Sequence, residues 1–244
     1  MCVSLSHAQA GNLIIEACME SKLLDLNTDK SCFLVIGSQK TKANIKSELK
    51  DYPLTLCSEL MKEKVSEKYL GDYLHCDGSG ASISCTISNR QGRTILSIIE
   101  TRAIIDDCRI NSVGGLQAGL DIWEISILPS LLNNCQTWVN ISEASIKLLE
   151  TLQNNMYRTL LSVPRTCPLP SLCWDMGSVQ MRFRIISKKL HFLWHLVNLD
   201  NNTLAKEILL IQRDQNLPGL VSECLEWIGN YGLPNILDEK ITKP

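Results

Sequence analysis

Four side chains able to contact phosphate recur along one predicted helix, residues 178–199. Arg184, Lys188, His191 and His195 are spaced i, i+4, i+7 and i+11, so they form a column on one side of an α-helix. Such a column can bind along phosphates, because each cation that contacts a phosphate releases counterions. Its alternative role is a solvated seam between the two apolar faces of the same helix. The predicted nucleic-acid-binding set also contains three neighbouring cations: Arg158, Arg182 and Lys189.

Histidine and cysteine in the same region raise the question of a zinc site. His191 and His195 are spaced i, i+4, which suits one metal ion, and Cys167 and Cys173 lie upstream. Five residues separate the cysteines, instead of the two to four typical of zinc ligands, and two cations of the column would place positive charge beside the ion. We therefore predict no metal site in this chain.

The composition is that of a globular protein and excludes several other classes. The 244 residues include 24 Lys and Arg, 26 Asp and Glu and 45% hydrophobic residues, which is atypical of disordered chains. The sequence contains no run of 18 apolar residues, so we expect no transmembrane helix, and its first residues do not resemble a secretory signal. The 11 cysteines include no C-x2-C pair, so we expect reduced, mostly buried thiols and a cytoplasmic or nuclear location.

Hydrophobic periodicity predicts a mostly α fold with a small α+β piece at the N-terminus. In that piece we expect helices at 8–24 and 38–50, a buried strand from Cys32 to Ile36, a short strand at 53–57 and a turn or hairpin at 68–76. After the breaker Asp77-Gly78-Ser79-Gly80, helical patterns cover 83–110, 116–138, 142–163, 178–199 and 203–213. The helix at 142–163 has the clearest signals, with Ser142 as its N-cap and Pro164 at its end.

Four segments resemble the reverse transcriptase of non-LTR (LINE-like) retrotransposons, and together they span about residues 8–200. The first is Leu24-Asp25-Leu26-Asn27-Thr28-Asp29-Lys30-Ser31 followed by the apolar run to Gly37, which is similar to a segment leading into a palm strand. The second, Lys68-Tyr69-Leu70-Gly71, resembles the turn of the primer-grip hairpin. The third is Ile127-Leu128-Pro129-Ser130-Leu131-Leu132 with Trp138, where Asn133 replaces a usual tyrosine of the thumb pattern. The fourth runs from Lys147 to Pro164 and continues through Cys167-Pro168, Gly177, Arg182 and Arg184.

The resemblance implies three parts and a nucleotidyl-transfer chemistry. The parts are a palm remnant with a primer-grip-like hairpin at 1–78, a helical thumb at 79–165 and a helical connector at 166–244. In the family, three carboxylates hold two Mg²⁺ ions, and two of them form an Asp-Asp pair before the helix that corresponds to 8–24. No acidic residue precedes Glu16 here, so we expect no catalytic residue and no cofactor in this chain. Lys30 is a possible phosphate-proximal residue, and its alternative is a surface lysine at a strand edge.

Asp106-Asp107 is the one acidic pair that superficially resembles the family's metal-binding motif. Ile104 stands where an aromatic residue is expected, and the surrounding residues have a helical pattern. Adjacent helical residues point about 100° apart, which suits a solvated face with Arg102 or Arg109 nearby better than a metal site.

Two functions therefore remain open from the sequence. The first is a truncated RNA-directed DNA polymerase that does not polymerise by itself and binds an RNA/DNA template–primer weakly, with no membrane and no small-molecule ligand. The second is a domesticated helical protein-interaction module without a nucleic-acid role. The near-neutral charge favours the second, although the basic excess lies in one block, with 7 basic and 4 acidic side chains at 141–200.

Overall fold

The mostly α fold class is confirmed by the computed structural model, which describes residues 5–22, 25–107 and 113–234. The fold is 66% helix and 7% strand, and the strands within these described residues all lie in the N-terminal part. The chain divides into two compact units, Met1–Ser82 and Ile83–Pro244. A search of the described helices found none with the length and apolar character needed to cross a membrane. The finer boundary at 165/166 stays a prediction.

The described residues of the N-terminal unit form two helices and three small sheets. The helices are α1 (Leu5–Ser21) and α2 (Gln39–Asp51), and a 3-10 turn covers Thr28–Lys30. The strands are β1 (Cys32–Phe33), β2 (Thr55–Leu56), β3 (Glu59–Leu60), β4 (Lys62–Glu63), β5 (Ser66–Tyr69) and β6 (Asp72–His75). β1 pairs in parallel with β4, whereas β2–β3 and β5–β6 are antiparallel.

Polar side chains of α1 form hydrogen bonds with β2. Gln9 accepts a hydrogen bond from the amide of Thr55 at 3.0 Å, and Asn12 donates to the carbonyl of Thr55 at 2.9 Å. Leu13 and Ile14 of the same helix are 57% and 70% exposed. The helix therefore presents apolar side chains to solvent.

The strand predicted from Cys32 to Ile36 is shorter than its apolar run. Only Cys32 and Phe33 pair with β4, because β4 itself has two residues in the ladder. Among the next three residues Val35 is buried, whereas Ile36 is 50% exposed. Leu24 lies outside the described residues. It is the last residue of the first predicted helix and the first residue of the segment that resembles one leading into a palm strand.

The C-terminal unit is built from helices. After α3 (Ser79–Asp107) come α4 (Val113–Ile122), a π-helical turn (Trp123–Ile127), α5 (Leu128–Leu131) and a 3-10 turn (Cys135–Thr137). The chain continues with α6 (Glu143–Leu161), α7 (Leu169–Asp175), α8 (Met181–Val197), α9 (Leu204–Asp214) and α10 (Leu220–Asn230). The end predicted for the helix at 83–110 lies outside the described residues.

Local signals account for some helices and not for others. The hydroxyl of Ser142 accepts a hydrogen bond from the amide of Ser145 at 3.1 Å, which confirms the predicted N-cap of α6. The continuous helix predicted at 116–138 is wrong, since a π turn interrupts it before Pro129 and the ordered helix ends at Leu131. The sequence analysis also missed α7 and α10.

Two apolar clusters hold the C-terminal unit together. The larger cluster surrounds Trp123 and Tyr157, which are fully buried and meet edge to face with ring centroids 6.3 Å apart. The smaller cluster lies between α8, α9 and α10 and includes Leu193, Leu209 and Cys224. α8 contributes to both clusters, so it is packed on two sides, as the sequence predicts.

Candidate nucleic-acid interface

The predicted hairpin at 68–76 is confirmed and has a two-residue turn. Tyr69 pairs with Asp72 across β5 and β6, so Leu70 and Gly71 alone make the connection. Both have positive φ, 49° and 91°, which is the geometry of a type I′ turn. Asn-Gly suits such a turn, because asparagine tolerates the left-handed region better than leucine does.

Leu70 is an unfavourable residue for the position it occupies. A left-handed conformation costs roughly 1–2 kcal/mol for an L-residue that has a Cβ atom. The side chain is 77% exposed, so burial offsets little of that cost, and Tyr69 beside it is 62% exposed. The turn therefore presents an aromatic and an aliphatic side chain outward at the tip of the hairpin.

Lys30 ends the 3-10 turn that leads into β1. Its amide donates to the side chain of Asn27 at 3.0 Å, and its own side chain is exposed. The position fits both interpretations offered by the sequence, a phosphate contact or a surface lysine.

Arg184, the first member of the predicted column, is held by neighbours within the C-terminal unit. Its guanidinium binds both carboxylate oxygens of Glu124, at 2.7 and 2.9 Å. The same group donates to the hydroxyl of Ser178 at 3.0 Å and to the carbonyl of Val179 at 3.1 Å. Its donors are thus used to connect α8 to the π-helical turn.

Arg182 and Lys189 are also paired with carboxylates. Arg182 forms an ion pair with Glu143, and this hydrogen bond raises the pKa of the guanidinium. Lys189 is completely buried, and its ammonium lies 2.6 Å from Glu223 and 5.1 Å from the ring centre of Trp227. A lysine without exposed surface has no direct access to a phosphate.

Arg158 faces the protein as well. Its Nη2 donates to the carbonyl of Cys167 at 3.3 Å, and its buried Nε has no hydrogen-bond partner among the residues that the structure describes. Four of the five predicted cationic contacts therefore have partners within the chain.

The remaining members of the set, Lys188, His191 and His195, are exposed on α8. Lys188 has no ion pair among the described residues. The Nδ1 of His191 donates to the carbonyl of Ser187 at 2.8 Å, which leaves Nε2 directed away from the helix backbone. This part of the column is the surface that solvent, or a nucleic acid, can contact.

The acidic pair has the environment that the sequence suggests. Asp106 accepts a hydrogen bond from Arg102 at 2.8 Å, one turn earlier on α3, and both acidic residues are exposed. Arg109 lies outside the described residues. The four side chains considered for zinc, Cys167, Cys173, His191 and His195, do not form a ligand group among the described residues.

Two features escaped the sequence analysis. One is a cavity of about 260 Å³ in the C-terminal unit, lined by side chains that include Glu223, Glu226 and Trp227. The other is a close group of three successive residues, His75, Cys76 and Asp77. The cavity has no sequence signal, because distant segments form it. The second feature is visible as a run of three metal-ligand residue types.

The cysteines differ from the expectation of mostly buried thiols. The nine cysteines within the described ranges are all free, but only Cys135 and Cys224 are buried. Burial raises the pKa of Cys224 to about 12.

Comparisons of the chain with protein-family models, curated proteins and solved structures found no match.

Proposed function

We propose that this chain is a piece of a non-LTR retrotransposon reverse transcriptase, with the C-terminal palm edge, the thumb and a following helical segment. In this proposal it does not polymerise DNA by itself, and it binds an RNA/DNA template–primer weakly; the hairpin tip of the N-terminal unit and the exposed part of α8 of the C-terminal unit are separate candidate contacts. A cytoplasmic or nuclear location belongs to the same proposal. Mg²⁺ would belong to the intact polymerase and not to this chain.

The observation that carries the proposal is the turn at Leu70-Gly71. Replacing Leu70 by asparagine would relieve the left-handed strain, yet the chain has an exposed leucine there. Strain that is not repaid by burial is typical of positions that contact a ligand. An exposed tyrosine and leucine at a hairpin tip suit contact with the sugar and base of a primer end.

The test compares stability with binding in one variant, Leu70→Asn. We expect the variant to be more stable by about 1 kcal/mol, because asparagine lowers the cost of the left-handed turn. We also expect it to bind a fluorescent RNA–DNA template–primer several-fold more weakly in anisotropy titrations at low salt. Leu60→Thr is the matched control, since Leu60 is 67% exposed on β3 away from the turn.

Two results would refute this function. Equal binding by the wild type and Leu70→Asn would remove the role of the hairpin tip, and absence of binding by the wild type at low salt would remove the nucleic-acid role altogether. Robust nucleotide incorporation by the purified chain with template–primer and Mg²⁺ would refute the proposed inactivity.

A second candidate function, a helical protein-interaction module, is favoured by the pairing of the α8 cations. Arg182, Arg184 and Lys189 all bind carboxylates of the same unit. A surface built for phosphate usually leaves such groups available. Lys188→Gln separates the two functions, since it removes a charge that has no ion pair among the described residues. Binding of the template–primer that is unchanged by this variant would favour the interaction module.

A further inference from the structure

The chain leaving the hairpin makes a turn that places three successive side chains on one side. In an extended strand, neighbouring side chains point to opposite faces. Here the amide of Gly78 donates to the carbonyl of His75 at 3.1 Å, and the amide of Asp77 donates to the ring Nδ1 of His75 at 3.1 Å. The hydroxyl of Ser82 fixes the turn, because it accepts from the amide of His75 and donates to the carbonyl of Gly78, both at 2.8 Å.

The potential ligand atoms of these three residues lie close together. His75 Nδ1 lies 4.0 Å from Cys76 Sγ and 3.6 Å from Asp77 Oδ2, and the ligand atoms that the three residues offer all lie within 4.8 Å of one another. Ligands bound to Zn²⁺ at 2.0–2.3 Å in a tetrahedron are about 3.3–3.8 Å apart. To bind an ion, His75 Nδ1 would exchange the hydrogen bond from the Asp77 amide for a bond to the metal, because an unprotonated ring nitrogen has a single lone pair.

Lys42 of α2 is the charged neighbour of this group. Its ammonium lies 2.5 Å from Asp77 Oδ1, and this hydrogen bond lowers the pKa of the Asp77 carboxyl. A carboxylate has two oxygens with separate lone pairs, so Oδ2, on the His75 side, is available while Lys42 holds Oδ1. An outer partner that orients a ligating carboxylate is common in metal sites, and here Lys42 would have that role.

We propose that His75, Cys76 and Asp77 form a binding site for Zn²⁺. Imidazole nitrogen, thiolate sulfur and carboxylate oxygen are all zinc ligands, and three protein ligands leave a fourth position for water. The thiol of Cys76 loses its proton to the buffer when its sulfur bonds to the ion. The side chain of Asp77 is 55% exposed and that of His75 is 21% exposed, so the ion can enter from solvent. The proposal is independent of a nucleic-acid role.

Co²⁺ is the probe, because thiolate-bound tetrahedral Co²⁺ absorbs in the near ultraviolet and the visible. The full chain, reduced and treated with a chelator that is then removed, is titrated with Co²⁺ and afterwards with Zn²⁺. We expect one equivalent of Co²⁺ to produce the thiolate charge-transfer band and Zn²⁺ to abolish it by competition. Absence of this band in the wild-type protein would overturn the proposal.

Variants assign the signal to the turn. Cys76→Ser should lose the charge-transfer band, whereas Cys85→Ser, the loss of another half-exposed thiol on α3, should keep it. Asp77→Asn should retain the thiolate band but weaken Co²⁺ binding by about tenfold, since an amide is a poorer zinc ligand than a carboxylate. Circular dichroism verifies that each variant is folded. If Cys76→Ser does not fold, the Asp77→Asn affinity decides, and a value within about twofold of the wild type would refute the site.

Discussion

The buried pair between Lys189 and Glu223 allows the energetic role of one α8 cation to be measured. Within the described residues of the C-terminal unit, Glu223 is the only carboxylate bound by Lys189. The side chain of Lys189 has no exposed surface. The second oxygen of Glu223 accepts a hydrogen bond from the amide of Asn140. Replacing Glu223 by glutamine keeps an oxygen for that amide but removes the charge opposite the buried ammonium.

The expected loss follows from the desolvation of the ammonium. A buried charge that loses its partner destabilises a protein by about 3–5 kcal/mol. For a unit of this size, about 2–4 °C of melting temperature corresponds to each kcal/mol, so Glu223→Gln should melt about 6–20 °C lower than the wild type. Chemical denaturation at neutral pH, followed by circular dichroism, gives the free energy of unfolding directly.

Glu226→Gln provides the control, because Glu226 is exposed on the same helix, α10. We expect this change to alter the free energy of unfolding by less than about 0.5 kcal/mol. The double variant Lys189→Met with Glu223→Gln should recover about 2 kcal/mol or more, since it removes the buried charge together with its partner. A loss below about 1 kcal/mol in Glu223→Gln, equal to that of the control, would show that water or another group solvates Lys189 and that its burial is wrong.

Two further changes address the packing and the thiol chemistry of the C-terminal unit. A Cβ on Gly119 would lie 2.3 Å from a methyl group of Leu160, so Gly119→Ala should lower the free energy of unfolding by about 1–3 kcal/mol. Gly92 lies on an open helix face, so Gly92→Ala should raise the free energy of unfolding by about 0.5–1 kcal/mol. Urea unfolding compares the two variants, and equal effects would contradict the close contact at Gly119. Burial raises the pKa of Cys224 to about 12, whereas the same thiol in the unfolded chain ionises at about pH 8.5. The folded state is therefore fully stabilised by this thiol below about pH 8.5, and it loses that stabilisation as the pH rises toward about 12, because only the unfolded chain releases the proton. By pH 10 the loss should be about 1–2 kcal/mol, and Cys224→Val should remove this part of the pH dependence in unfolding curves recorded between pH 7 and 10.

The sequence predicts elements well where a local interaction determines them. The cap of α6 depends on Ser142 and an amide three residues later, and the hairpin depends on two turn residues. Both signals are local, and both predictions are confirmed. α10 had a usable signal that was overlooked, because Leu220, Val221, Cys224 and Ile228 follow a helical spacing and are all buried.

Predictions that depend on distant partners were less successful. An apolar run such as 32–36 becomes a strand only as far as a partner strand extends, and β4 offers two residues. The π turn before Pro129 lies in a region whose residues Trp123 and Ile127 are buried, so tertiary packing outweighs the simple helical period. The convergence of His75, Cys76 and Asp77 likewise depends on Ser82, which the residue types alone do not reveal.

The basic excess at 141–200 illustrates the same limit for function. Two of the carboxylates that neutralise α8, Glu124 and Glu223, come from outside that block, so a count of charge along the sequence overestimates the positive surface. If all four lysines and arginines of α8 contacted phosphates, the slope of log K against log salt concentration would be about −3.6, since each contact contributes about −0.9. Lys188 is the one of the four that has no ion pair within the described part of the chain, so we expect α8 to contribute about −0.9, and Lys188→Gln should reduce the measured slope by that amount. A reduction of the slope by more than about 2 in Lys188→Gln would mean that the internal ion pairs of α8 open when nucleic acid binds.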